Sequence, residues 1–202
     1  RVTVRAPGGH SWGDFGAPRA VHRAVELGAR LNRLRVPETP KTTFNIGVIK
    51  GGTSVNTIAP SAMMEIDLRS EGDAELDALV ADFERALDAF DAAGAEVAAE
   101  VIGNRPAGAI ARDHWLVGAA QRALRAVGVE EIDYRPSSTD ANVPLSRGLP
   151  SVCVGLTQGG NPHRTDEYIE TAPLARGFEQ LLSLVCAASE QRNAPQRGKE
   201  DS

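Results

Sequence analysis

The 202-residue sequence is poor in the residues that mark several protein classes. Its two cysteines, Cys153 and Cys186, are too few for a disulfide scaffold,. Their apolar neighbours, VCVGL and LLSLVCAAS, lead us to expect buried thiols in a reducing, cytoplasmic setting,. No apolar run approaches the roughly 20 residues of a bilayer helix, and the opening RVTVRAPGG lacks the charged-then-apolar order of a signal peptide,. A membrane partner is therefore not expected. Basic residues are outnumbered, 22 Lys+Arg against 27 Asp+Glu for a net charge of −5, so the bulk field does not gather nucleic acid,. Aromatics are only 4% of the chain, and Phe44 alone lies on a predicted strand of the first hundred residues, which excludes an RNA-binding sheet,. The chain also opens on Arg1 inside a strand pattern, without methionine, and reads as a piece of a longer protein.

What is present is a core-forming 42% of hydrophobic residues with clear periodicities,. Val2, Val4 and Ala6 alternate with polar partners as a strand,. After the loop GGHSWGDFGAP, a helix from Pro18 carries Val21, Ala24, Val25, Gly28 and Leu31 on one face,. TTFNIGVIKGG and SAMMEIDLRS are strands joined by GGTSVNTIAP,. Leu76, Leu79, Val80, Phe83, Leu87 and Phe90 have helical spacing, Gly94 is placed to end that helix, and Val97, Ala99 and Val101 form a fourth strand,. The order βαββαβ predicts an α/β (α+β) domain over residues 1–103, a four-stranded antiparallel sheet with two helices on one face.

A boundary falls at GNRPAG. Residues 104–190 supply a helix from about Asp113 to Val127 stopped by Gly128, an apolar strand PSVCVGL, and a last helix from near Thr171 with Leu174, Phe178, Leu181 and Val185 on one face,. These are partial α/β elements, thin for parallel strands that need cover on both sides. From Gln191 to Ser202 the polar tail is expected to be disordered,.

Four segments carry the chemistry: PGGHSWGDFGAP, GGTSVNTIAPSAMMEIDLRS, GNRPAG, and SSTDANVPLSRGLPSVCVG followed by GGNPHRTDEYIE. In residues, order and spacing the chain resembles the di-zinc metallopeptidase family of glutamate carboxypeptidase, acetylornithine deacetylase, succinyl-diaminopimelate desuccinylase and aminoacylase. The resemblance implies a zinc-binding catalytic domain interrupted by a βαββαβ lid that also forms the homodimer. Residues 1–103 resemble that lid, and residues 104–190 the C-terminal portion of the catalytic domain. The N-terminal portion, with most metal ligands and the catalytic glutamate, has no counterpart in the chain. Independently, four histidines without an H-x-D are a small inventory for a two-metal site,.

By the same resemblance His163, in GGNPHRTDEYIE, corresponds to the last metal ligand. The alternative is a loop histidine bonded to its neighbours. One imidazole is far from the three or four ligands of a stable zinc site, and it does not choose zinc over cobalt or manganese. His10 corresponds to the histidine that reaches the partner subunit's active site, where an imidazole N–H can donate to a developing oxyanion; a loop-stabilising histidine near Asp14 is its alternative. Asn56 corresponds to a companion substrate-binding amide, or is an ordinary turn asparagine. Arg105 corresponds to the guanidinium that holds a substrate carboxylate, its planar fork matching that group, or makes a surface salt bridge. Ser138 and Thr139 add hydroxyls beside it, Asp140 is expected to brace their loop, and Arg69 is structural. Glu130 and Glu131 are an adjacent acidic pair in the wrong place, after the lid rather than before it, and receive no catalytic role. His22, His114, Trp12 and Trp115 receive none either.

The expected function is therefore a share in a zinc-dependent amidohydrolase of the carboxypeptidase or N-acyl-amino-acid deacylase kind, acting on a small amide or peptide beside a carboxylate. The chain by itself is expected to be inactive. A non-catalytic homodimerisation module, pairing through the edge strand and helix of residues 1–103, is the alternative from a different class.

Overall fold

The computed structural model describes residues 1–193. The chain forms two compact units, Arg1–Asn104 and Arg105–Ser202.

In the first unit, β1 (Val2–Arg5), β3 (Thr42–Gly51), β5 (Ser61–Ser70) and β6 (Glu96–Ala99) make one antiparallel sheet in the order β3-β5-β1-β6. A separate two-stranded ribbon joins β2 (Gly9–His10) to β4 (Thr57–Ile58). Helices α1 (Ala20–Leu31) and α2 (Asp73–Asp88) cover one face of the sheet, as the periodicities predict. The alternation of β1 and β5 sends Val2 and Met64 into the core against Leu27, Leu31 and Ala86, and Val4 and Ala62 against Ala20 and Ala24,. A bulge between Ile46 and Val48 inserts one residue into β3, so that Val48 faces Glu65 while Ile49 returns to the Met64 side,. At the sheet's start Arg1 pairs with Glu65 of β5 and with Glu100 beyond β6, and these two bonds raise its pKa.

Three local expectations shift. The inward stripe of α1 is Ala20, Ala24, Leu27, Gly28 and Leu31, and Val25 lies on its flank, 56% exposed. Helix α2 stops at Asp88, and Gly94, at φ 83 after Ala93 at φ 45, instead makes the turn into β6,. The ladder of β6 ends at Ala99, and Val101 beyond it is exposed.

The second unit contains α3 (Trp115–Ala126), α4 (Asn142–Ser146), a hairpin of β7 (Gly159–Gly160) with β8 (Tyr168–Ile169), and α5 (Leu174–Asn193). His114, given no catalytic role above, caps α3 by accepting the Leu116 N–H at 3.2 Å,. Ala119, Ala120 and Ala123 of α3 pack on Leu184 of α5, with Val152 and Val154 against them.

PSVCVGL is not a strand: among the described residues it has no ladder neighbour, since β7 and β8 pair only with each other. Its cover comes from the helices, and the buried amide of Gln180 on α5 donates to the Gly155 carbonyl at 3.2 Å. That contact rotates α5 from the expected face. Gly177, Gln180 and Leu184 turn inward, whereas Phe178 and Val185 are more than half exposed. Cys153 and Cys186 are both free and exposed, not buried, because the alternating segment turns Cys153 away from Val152 and Val154 and α5 turns Cys186 away from Leu184. Of the tail expected to be disordered, residues 191–193 are the last of α5, and the remainder lies outside the described residues. No described helix is long and apolar enough to cross a membrane.

Candidate functional site

The ribbon of β2 and β4 mounts the first pair of candidates. His10 opposes Thr57 across the ribbon, and the Ser11 N–H donates to the Asn56 carbonyl at 3.0 Å, so Asn56 sits one residue from His10's partner. Both side chains are exposed. The His10 Nδ1 accepts the backbone N–H of Trp12 at 3.2 Å and of Gly13 at 3.3 Å. A neutral imidazole has one donor and one acceptor nitrogen, so this arrangement leaves Nε2 carrying the proton as a free donor. Asn56 is oriented in the same sense. Ser54 donates its hydroxyl to Asn56 Oδ1 at 2.9 Å, which leaves the Asn56 amide nitrogen as the available group,.

Beside the ribbon lies an open groove of about 460 Å³, lined in part by Ser11, Phe15, Arg19, His22, Thr53 and Val55. Trp12, Phe15 and Val55 are at least 80% exposed, so the two free donors stand among apolar surface rather than inside a charged cleft.

In the second unit Arg105 and Ser138 come together. The Arg105 guanidinium makes long contacts to the Ser138 hydroxyl at 3.3 Å and carbonyl at 3.5 Å. Thr139 is placed differently: its hydroxyl oxygen accepts the Ala141 N–H at 3.2 Å, which commits it to the turn before α4. The brace of this loop is Asn142, not Asp140. Its Oδ1 accepts the Thr139 N–H at 2.7 Å, and its Nδ2 donates to the Pro106 carbonyl at 3.2 Å. Thr139 and Asn142 close a turn ahead of α4, the Asn142 N–H donating to the Thr139 carbonyl at 3.1 Å while Asn142 Oδ1 receives the Thr139 N–H, and the N-cap of α4, Ala141, makes no side-chain cap bond. Asn142 thereby ties SSTDAN to GNRPAG, two segments that are far apart in sequence.

His163 lies in the exposed loop between β7 and β8, with φ 63, a backbone region uncommon for histidine,. The loop is held around it: Asn161 Nδ2 donates to Asp166 Oδ2 at 2.9 Å, Arg164 pairs with Asp166, and the His163 N–H donates to Glu167 Oε2 at 3.3 Å. Among the described residues no three His, Cys, Asp or Glu side chains gather to hold a metal ion. His163 by itself does not fit the three- or four-ligand requirement of zinc.

Residues 1–95 match the family model described as the peptidase dimerisation domain, of M20 type. N-acetyl-L-citrulline deacetylase of Xanthomonas campestris pv. campestris is 27% identical over 183 residues, taking in 84% of this chain and 48% of the deacetylase. The crystal structure of a Staphylococcus aureus tripeptidase superposes with a TM-score of 0.61 at 22% identity, over 93% of this chain and 50% of its own. A hydantoinase/carbamoylase-family amidase from Burkholderia vietnamiensis gives 0.67 at 20% identity, over 93% and 46%. The two structures share the fold, and the chain spans about half the length of each of these relatives.

Proposed function

We propose, for a chain whose residues 1–95 match the peptidase dimerisation domain of M20 type, that it supplies the dimerising lid and the carboxylate-binding part of an amidohydrolase acting on an amide next to a carboxylate. The reaction is of the carboxypeptidase or N-acyl-amino-acid deacylase kind. The observation that carries this reading is the pair of donors at one ribbon, His10 with Nδ1 accepting two backbone amides and Asn56 with Oδ1 accepting the Ser54 hydroxyl. Two oriented N–H groups suit the oxygen of a scissile carbonyl as it gains negative charge. In a homodimer, His10 of one protomer serves the site of its partner. Arg105, with the Ser138 hydroxyl beside it and Thr139 shaping the turn, holds the substrate carboxylate,.

The family's metal, zinc or in its place cobalt or manganese, would act as Lewis acid toward the amide carbonyl. His163 is the one ligand this chain would bring, and a zinc site needs two or three more. The 202-residue chain alone is therefore inactive in this reading. Two free, exposed thiols suit a reducing cytoplasm,.

Homodimerisation runs through β3 and α1. β3 is an edge strand of ten residues, whereas the opposite edge, β6, has four. Next to it Ile49 of β3 and Val25 of α1 are each more than half exposed. An open edge with apolar neighbours is the usual substrate for strand-to-strand pairing. A second reading, dimerisation without catalysis, is favoured by the lack of any three-ligand cluster among the described residues.

The deciding experiment on the purified chain combines light scattering, elemental analysis and hydrolysis of N-acyl amino acids with added zinc or cobalt. The expected result is a dimer with far less than one metal per chain and no hydrolysis. Chelator-sensitive hydrolysis would overturn the assignment of inactivity, and a monomer would overturn the lid's role. Recovery of hydrolysis when the missing catalytic portion is supplied, abolished by His10→Ala, separates the amidohydrolase from the non-catalytic module.

A further inference from the structure

We propose that Asp14 is a positioning residue for His10, closing a turn that fixes the imidazole as an Nε2–H donor. What that donor acts upon rests on the amidohydrolase reading above; the fixing of the ring rests on geometry alone.

Three residues separate His10 from Asp14, and two bonds run between them in opposite directions. The Asp14 backbone N–H donates to the His10 carbonyl at 2.9 Å, and the His10 backbone N–H donates to Asp14 Oδ2 at 2.7 Å. The ring so closed contains Ser11, Trp12 and Gly13, and it gathers the N–H groups of Trp12 and Gly13 onto His10 Nδ1. Asp14 thus never touches the imidazole in this arrangement. It holds the backbone that does.

Gly9 makes room for the carboxylate. Its φ is 150°, and a Cβ there would fall 2.6 Å from Asp14 Oδ2, well inside contact distance. The other end of the loop is anchored as well, since the Ala17 N–H donates to the Asp14 carbonyl at 3.0 Å. With β2 paired to β4 behind it, the turn is tied down on the ribbon side and on the α1 side. An exposed histidine would ordinarily populate both tautomers and several rotamers. Here the acceptor role of Nδ1 is imposed by two amides, so the proton resides on Nε2. A polarised, pre-aimed donor needs no reorganisation when charge develops before it.

The test reads the tautomer directly, by long-range ¹H–¹⁵N correlation of the imidazole in the labelled 202-residue chain. The unsubstituted protein is expected to show His10 Nδ1 unprotonated and Nε2 protonated at a pH where the ring is neutral. Asp14→Asn keeps an acceptor oxygen and should retain that pattern. Asp14→Ala should lose it to an average of both tautomers, with the amide resonances of β1 and β5 unmoved. Gly9→Ala, which displaces the carboxylate while leaving Asp14 in place, should produce the same loss. A protonated Nδ1 in the unsubstituted chain, or an unchanged tautomer in Asp14→Ala, overturns the proposal. Failure of hydrolysis in the complemented enzyme would instead count against the amidohydrolase reading and leave the tautomer result standing.

Discussion

Gly108 lies against the backbone of Ser146, so close that a Cβ at Gly108 would fall 2.6 Å from the Ser146 amide nitrogen. The contact presses GNRPAG onto α4, the same junction that Asn142 ties through Pro106 and that brings Arg105 to Ser138. A methyl group has no flexible chain end to displace there, because the atoms it meets are the Leu145 Cβ and carbonyl carbon and the Ser146 nitrogen, all fixed by the backbone of α4.

Gly108→Ala should therefore destabilise the second unit by about 1–3 kcal/mol, the usual cost of overpacking. It should also separate Arg105 from Ser138. Chemical denaturation followed by resonances of residues 105–193 gives the first quantity, and the Arg105 side-chain resonances the second. An alanine accommodated without change in either would mean that α4 yields more readily than its contacts indicate.

Met64 and Val25 set up a contrast within the first unit. Both have apolar side chains on regular elements, but Met64 is fully buried where β5 meets α1 and α2, and Val25 is largely exposed. Met64→Ala is expected to cost about 2–5 kcal/mol through lost burial and the cavity left behind. Val25→Ala should fall within about 0.5 kcal/mol in the monomeric unit. Urea unfolding of the two variants measures the difference, and similar losses would mean that Val25 is covered in solution.

The first unit was legible because its two periodicities are strong and its partners are local. Val2 and Val4 alternate, Leu79, Phe83 and Leu87 recur at helical spacing, and the sheet that joins them is complete within the unit. The bulge after Ile46 left no mark in the sequence because a single inserted residue barely disturbs the alternation of a ten-residue strand,. The second unit was less legible. An apolar run such as PSVCVGL reads as a strand wherever it occurs, but a ladder needs a neighbour, and the described residues provide none. Gln180 likewise hid the inward face of α5, since a polar residue is assigned outward unless the carbonyl that receives its amide is known,. At the candidate site the residue types of His10, Asn56 and Arg105 were readable, whereas Ser54, Asp14 and Asn142, which orient them, act through bonds visible only in three dimensions.

The exposed thiols permit a chemical check on the second unit. Cys153 sits in the segment that lacks a ladder, and Cys186 on the outer side of α5. Both should react with a disulfide reagent in the native chain, giving two equivalents of released thiolate without denaturant,. In the amidohydrolase proposed above, a further segment that pairs with residues 151–155 is expected to slow Cys153 more than Cys186. Reaction of neither thiol before denaturation would contradict the packing of α5 on Val152 and Val154.

Ile49 and Val25 provide the sharpest test of how the chain pairs. If two copies join through β3, the strands meet edge to edge and each α1 approaches its symmetry mate, so that both residues become covered in an isologous contact. Carboxylates at these positions would face each other across the two-fold axis, adding charge repulsion to lost apolar burial. The double variant Val25→Glu/Ile49→Glu should shift the mass in light scattering from dimer to monomer. The internal fold should persist, because neither residue belongs to the core formed by Val2, Leu27, Leu31 and Met64. A dimer that survives both charges would move the interface away from β3, and the short edge of β6 would be the next place to substitute.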